Sequence, residues 1–97
     1  MEKYKLLIFP LAKQDLQEIV GELSQQAALK LYDDIIESIG SLEHMPLRYP
    51  LIKDPLLRAK GYRVMVVHRY LVFYIVKEKK VEIRRILYGK RQFEFLL

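Results

Sequence analysis

The 97-residue chain contains no cysteine. Disulfides, thiolate metal sites and a cysteine nucleophile are therefore excluded. Histidine is almost as scarce. His44 and His68 stand alone, too few and too far apart for a metal cluster, so neither a metal nor a cofactor is expected. No run approaches the ~20 apolar residues of a membrane span. The opening MEKYKLLIFPLAKQDLQEI turns polar after a handful of apolar residues, too soon for a signal peptide. The expectation is a soluble, cytoplasmic protein with no membrane partner. There is no Gly-rich phosphate loop, no Ser-His-Asp order and no paired carboxylate in the C-terminal half. Repeats, low-complexity stretches and linkers are absent too. With 52% apolar residues, residues 1–97 read as one domain around one core.

What is abundant is positive charge, and it is unevenly spread. Lys and Arg number 17 against 12 Asp and Glu, a net of +5. Residues 1–47 hold four basic residues (Lys3, Lys5, Lys13, Lys30) against eight acidic ones, a net of −4. Residues 48–97 hold 13 basic against four acidic, a net of +9. Such asymmetry suits a nucleic-acid surface or a docking surface for an acidic protein. It can also be plain solubilising charge on surface strands, because a potential steers anions only where charges converge.

The pattern of apolar residues predicts the elements. Tyr4 to Phe9 is a short first strand, and Pro10 suits the first turn of a helix. Leu16, Ile19, Val20 and Leu23 follow at helical spacing, with Lys13, Asp15, Gln17, Glu18 and Glu22 assigned to the polar side and Gly21 weakening the end. Ser24 is a candidate N-cap for a second helix. Its stripe is Ala28, Leu31, Ile35, Ile39 and Leu42, widened by Tyr32 and Ile36, with Asp33, Asp34 and Glu37 toward solvent. Met45-Pro46 stops it. Residues 46–60 read as a proline-punctuated, basic loop. From Gly61 to Tyr88, three aromatic and β-branched runs separated by short breaks read as two strand hairpins.

The plan is α+β: an N-terminal strand, an antiparallel two-helix hairpin packed on one face of a small, mostly antiparallel sheet, then three strands (β-α-α-β-β-β). Pattern leaves the first strand an edge position beside either the second or the fourth. The sheet face without helices is expected to be open, with the arginines gathered on it.

The residues able to carry chemistry form a set rather than a motif: Arg58, Lys60, Arg63, His68, Tyr70, Tyr74, Arg85, Tyr88, Lys90 and Arg91. Metal-free RNA cleavage needs a general base, a general acid and cations around the crowded phosphate, and this set contains such groups. Each also has a plain reading. Tyr70 and Tyr74 suit the filling of a sheet. His68 suits a solvated hairpin turn. Arg84 and Arg85 are consecutive in a strand, so they are expected on opposite faces. Phe93, Phe95, Leu96 and Leu97 are either a partner surface or a tail tucked onto the helical pair.

Taken in order, "DDIIESIGSLEHMPLRYP", "LRAKGYR", "YLVFYIV", "VEIRRILYGKR" and the final "FLL" resemble the RelE/ParE superfamily, the toxins of type II toxin–antitoxin pairs. The resemblance covers nearly the whole chain. It implies the fold above and a cognate antitoxin, acidic and partly disordered, that masks the basic half. RelE-like members cut messenger RNA on the ribosome, and by position Arg63 and Arg91 match their phosphate-stabilising arginines. The lysine pair preceding "LRxxGYR" in cleaving members falls here on Asp54-Pro55-Leu56. The late tyrosine or histidine is replaced by Phe93 and Phe95, and phenylalanine cannot transfer a proton. ParE-like members instead poison DNA gyrase, and this series is closer to them. The resemblance thus implies a binding toxin with Arg58, Lys60, Arg85, Lys90, Phe93 and Phe95 as contact residues. A ribonuclease with Arg63, Arg91, Tyr88 or His68 as its catalytic groups is the alternative. A degenerate member that only binds its antitoxin and regulates their operon is the third.

Overall fold

The computed structural model describes residues 3–89 and 96–97. In chain order they form β1 (Lys5–Ile8), α1 (Pro10–Gly21), α2 (Gln25–Gly40), two 3-10 turns (Ser41–Glu43 and Pro46–Arg48), α3 (Pro55–Ala59), β2 (Tyr62–Val67), β3 (Tyr70–Lys77) and β4 (Lys80–Tyr88). The sheet order is β1-β4-β3-β2. Strands β2, β3 and β4 pair antiparallel through two-residue turns, while β1 lies parallel to β4. The first strand therefore takes the edge beside the fourth.

Local chemistry sets the helix ends. Pro10 opens α1, where its missing N–H costs nothing. The Ser24 hydroxyl accepts from the Ala27 N–H at 3.3 Å and caps α2. The α-helix stops at Gly40, ahead of Met45-Pro46, and the chain continues in a 3-10 turn. The stretch 46–60 is more ordered than a proline-punctuated loop. It holds the second 3-10 turn and α3, whose Pro55 sits in the first turn. The Asp54 carboxylate accepts from the Leu56 and Leu57 N–H groups at 3.0 and 3.1 Å.

Two apolar clusters sit on the two sheet faces. On one, Ala12, Leu16, Ile35, Ile39 and Leu42 pack against Met65, Val67, Val72, Tyr74, Val81, Ile83 and Ile86. This is the predicted helix-on-sheet core. The other face was expected to be open, and it is not. Ile52 and Leu57 pack there on Tyr62, Phe73, Ile75 and Leu87, with Leu96 and Leu97 beside them. Leu57 alone, with 4% of its surface exposed, contributes about 2 kcal/mol through burial. Leu96 and Leu97 are thus tucked down, but on the face opposite the helical pair.

The ladder between β3 and β4 slips once. Phe73 faces Arg85 and Tyr74 faces Ile83, so Arg84 is an extra residue at a β-bulge. The bulge breaks the strand alternation that would separate Arg84 from Arg85. Both line one cleft, with Phe9, Pro10, Leu11 and Tyr62.

Candidate functional site

Arg63 is half-buried on the edge strand β2, its side chain bonded to the adjoining segment. In β2 it lies opposite Tyr74. Its Nη1 donates to the Tyr49 carbonyl at 2.6 Å and to the Leu47 carbonyl at 3.3 Å. Tyr74, fully buried, donates its hydroxyl to the Pro46 carbonyl at 2.6 Å. Arg48 completes the set, donating to the His44 carbonyl at 2.7 Å and the Ser41 hydroxyl at 2.6 Å, and lying 5.0 Å from the Tyr49 ring centre. Three side chains thus satisfy the carbonyls of a segment that turns through Met45 at φ 53°. Burial pushes the Tyr74 phenol up to about 12, against the opposing pull of Arg63 and Arg48. It stays neutral near pH 7 and fills the sheet rather than carrying protons.

His68 and Tyr88 lie elsewhere. His68 is the first residue of the β2–β3 turn, at φ 56°, five residues beyond Arg63, or about 17 Å of extended strand. It is not merely solvated: its Nε2 sits 2.7 Å from Asp34 Oδ2 on α2. Hydrogen bonds from His68 and then Lys30 hold the Asp34 carboxyl below its ordinary range. The two residues line a cleft of about 450 Å³ with Glu37, Ser38, Ser41, Val66 and Val67. Tyr88 pairs across the sheet with Tyr70, the rings edge to face at 5.8 Å. These tyrosines line a separate cleft of about 370 Å³ with Asp15, Glu18, Ile19 and Glu22. Neither cleft includes Arg63.

Arg85 is held through all three of its guanidinium nitrogens. It grips Asp15 of α1 through Nε at 2.7 Å and Nη2 at 2.8 Å, and donates from Nη1 to the Leu96 carbonyl at 3.0 Å. Asp15 also accepts from the Ile86 N–H at 3.0 Å. The Asp15 carboxylate raises the Arg85 pKa above its ordinary value, outweighing burial. Its neighbour Arg84 pairs with Glu82 at 2.9 Å and lies 4.6 Å from the Phe9 ring centre. The sequence pattern puts Asp15 on the polar side of α1, yet it is 7% exposed. The signal was present: Ala12, Asp15, Leu16 and Ile19 share one helical face.

Arg58 and Lys60 are exposed on and just after α3, with no side-chain partner among the described residues. Lys90, Arg91, Phe93 and Phe95 lie outside the described residues. Among the described residues there is no group of three or more metal-ligating side chains, and no helix is long and apolar enough to cross a membrane.

The sequence model of the family "ParE toxin of type II toxin-antitoxin system, parDE" matches residues 6–93. The chain belongs to the ParE toxin family. The same fold is seen in solved structures that resemble this ParE-family toxin. The chromosomal ParDE toxin–antitoxin system of Pseudomonas aeruginosa superimposes with a TM-score of 0.77 at 22% identity, over 91% of this chain and 98% of that one. The RelBE2 complex of Mycobacterium tuberculosis follows with a TM-score of 0.64 at 21% identity, over 91% and 93%. A conserved hypothetical protein of Helicobacter pylori has a TM-score of 0.58 at 18% identity, over 93% and 99%. A search of curated proteins finds no match.

Proposed function

We propose that this ParE-family toxin stops growth by binding a target such as DNA gyrase rather than by cutting RNA, and that a cognate antitoxin neutralises it. One observation carries the reading: Arg63, the arginine a cleaving site would aim at phosphate, spends its Nη1 on the Leu47 and Tyr49 carbonyls. The groups that would move protons lie apart from it, His68 on Asp34 and Tyr88 against Tyr70. A cleaving site needs these groups within hydrogen-bond reach of one phosphate. The binding surface in this reading is Arg58 and Lys60 with Lys90, Phe93 and Phe95. Arg85 supports it by holding α1 to β4. The +9 charge of residues 48–97 is the complement of an acidic antitoxin segment that orders on binding.

The test is induction in bacteria without antitoxin, with separate pulse labels for new DNA, RNA and protein. The expected result is early loss of DNA synthesis with an SOS response while translation continues. Purified protein should then inhibit gyrase supercoiling. An immediate stop in translation with cleaved messages would overturn the reading in favour of a ribonuclease built from Arg63, Arg91, Tyr88 or His68. Normal growth would mark a chain that only binds its antitoxin.

A further inference from the structure

The sheet places like charges side by side where ordinary strand packing would avoid it. Lys80 opens β4 with Lys5 of β1 as its partner on one side and Lys77 of β3 as its partner on the other. Directly opposed residues point to the same face, so the three lysines stand in a row across three strands spaced about 4.8 Å apart. All three residues are exposed, and none has an ion-pair partner among the described residues. The next acid on that face, Glu82, is held by Arg84 at 2.9 Å. Glu78, in the adjoining turn, makes no ion pair among the described residues. Like charges directly opposed destabilise a sheet, so the row exists at a cost to folding.

Other cations reach the same end of the sheet. Ile52 bonds to Tyr62, which lies opposite Ile75, two residues before Lys77. That connection sets Lys53, Arg58 and Lys60 at the end where β1 and β4 begin. This is where the basic charge of the described residues converges. Four of the six described arginines, Arg48, Arg63, Arg84 and Arg85, are by contrast committed to partners within the chain.

We propose that this lysine end, centred on Lys5, Lys77 and Lys80, binds the phosphate backbone of duplex nucleic acid without reading its sequence. Lysine is a compact, mobile point charge suited to phosphate. It is depleted from protein–protein interfaces, where arginine and aromatic residues are enriched, and the row carries neither. Phosphate contacts of this kind position a protein and give salt-dependent affinity, but do not select bases. The row itself, Lys5, Lys77 and Lys80, lies outside the contact residues proposed above, although Arg58 and Lys60 adjoin it.

The experiment compares the full chain with K5Q/K77Q/K80Q and with K13Q/K30Q/R69Q, which removes the same charge elsewhere. Binding to a short mixed-sequence DNA duplex is followed by fluorescence anisotropy across a salt series. Each lost phosphate contact lowers the slope of log K against log salt by about 0.9, so the row variant should lose about 2.7 and the control less than about 1. The row variant should also melt no lower than the parent, because relieving like-charge contacts favours the fold. Equal losses in both variants would overturn the proposal, as would the absence of salt-dependent duplex binding by the parent. So would a loss seen only with polyglutamate, which would assign the row to an acidic protein.

Discussion

Replacing Asp15 by alanine removes three hydrogen bonds at once and leaves the Arg85 guanidinium, its side chain 15% exposed, without its counter-charge. Breaking a buried ion pair from one side costs about 3–5 kcal/mol. Arg85 keeps its bond to the Leu96 carbonyl and some contact with water, which favours the lower end. The Ile86 N–H loses its acceptor, worth about 1 kcal/mol or more. A cost near 3 kcal/mol is a large share of the ~5–15 kcal/mol that holds a domain folded. For a chain of this length it lowers Tm by about 12–24 °C. Urea unfolding of the parent, D15A, R85M and the double variant supplies the assay. Once Asp15 is gone, a methionine at 85 removes an uncompensated charge, so the double variant should be more stable than D15A. The coupling should reach about 2 kcal/mol. A D15A cost below about 1 kcal/mol, or additive single effects, would refute the idea that this pair fastens α1 to the bulged strand.

Tyr74 makes an alkaline prediction. Its folded pKa is raised from 10.0 to about 12, so its contribution is complete below pH 10 and lost as pH rises toward 12. The loss is on the order of 2 kcal/mol, read as a falling urea midpoint between pH 9.5 and 12, and Y74F should remove that dependence while costing about 1 kcal/mol at pH 7. Arg63→Met should lower stability by about 2 kcal/mol through the orphaned Tyr49 and Leu47 carbonyls, whereas R58Q/K60Q should leave Tm nearly unchanged; calorimetry of both separates a brace from a contact surface. Asp34 is held below 3.8, so its contribution is present above that range and lost as pH falls through the lowered pKa. D34N should therefore be less stable than the parent at pH 6 and indistinguishable from it in acid, as measured by thermal melts across that range.

Helices and strands were legible because their signals are periodic and local. The Leu16–Ile19 and Ile35–Ile39 stripes, the Ser24 cap and the three aromatic runs each state one element within a few residues. What stayed hidden depends on partners far apart in sequence. Nothing local announces that Phe73 will face Arg85 while Tyr74 faces Ile83, yet that one-residue slip puts Arg84 and Arg85 in the same cleft. Nor does the proline-rich stretch declare that Ile52 and Leu57 will cover the second face of the sheet.

The arginines illustrate the same limit in chemical form. A guanidinium offers five donors, and a short, irregular segment such as residues 45–49 leaves carbonyls that must find donors from somewhere. In this fold Arg48 and Arg63 supply them, and Arg85 is spent on a buried carboxylate. Counting arginines therefore overstates the anion-binding surface, because the most polydentate cations are drawn into structural roles. Lysine, with one compact charge on a flexible stem, is left at the surface. It follows that, among the described residues, the unpaired positive charge gathers mainly on lysine, at the end of the sheet where Lys5, Lys80 and Lys77 stand in register. Charge removal there should alter electrostatic binding without unfolding the protein, whereas removal of Arg48, Arg63 or Arg85 should do the reverse.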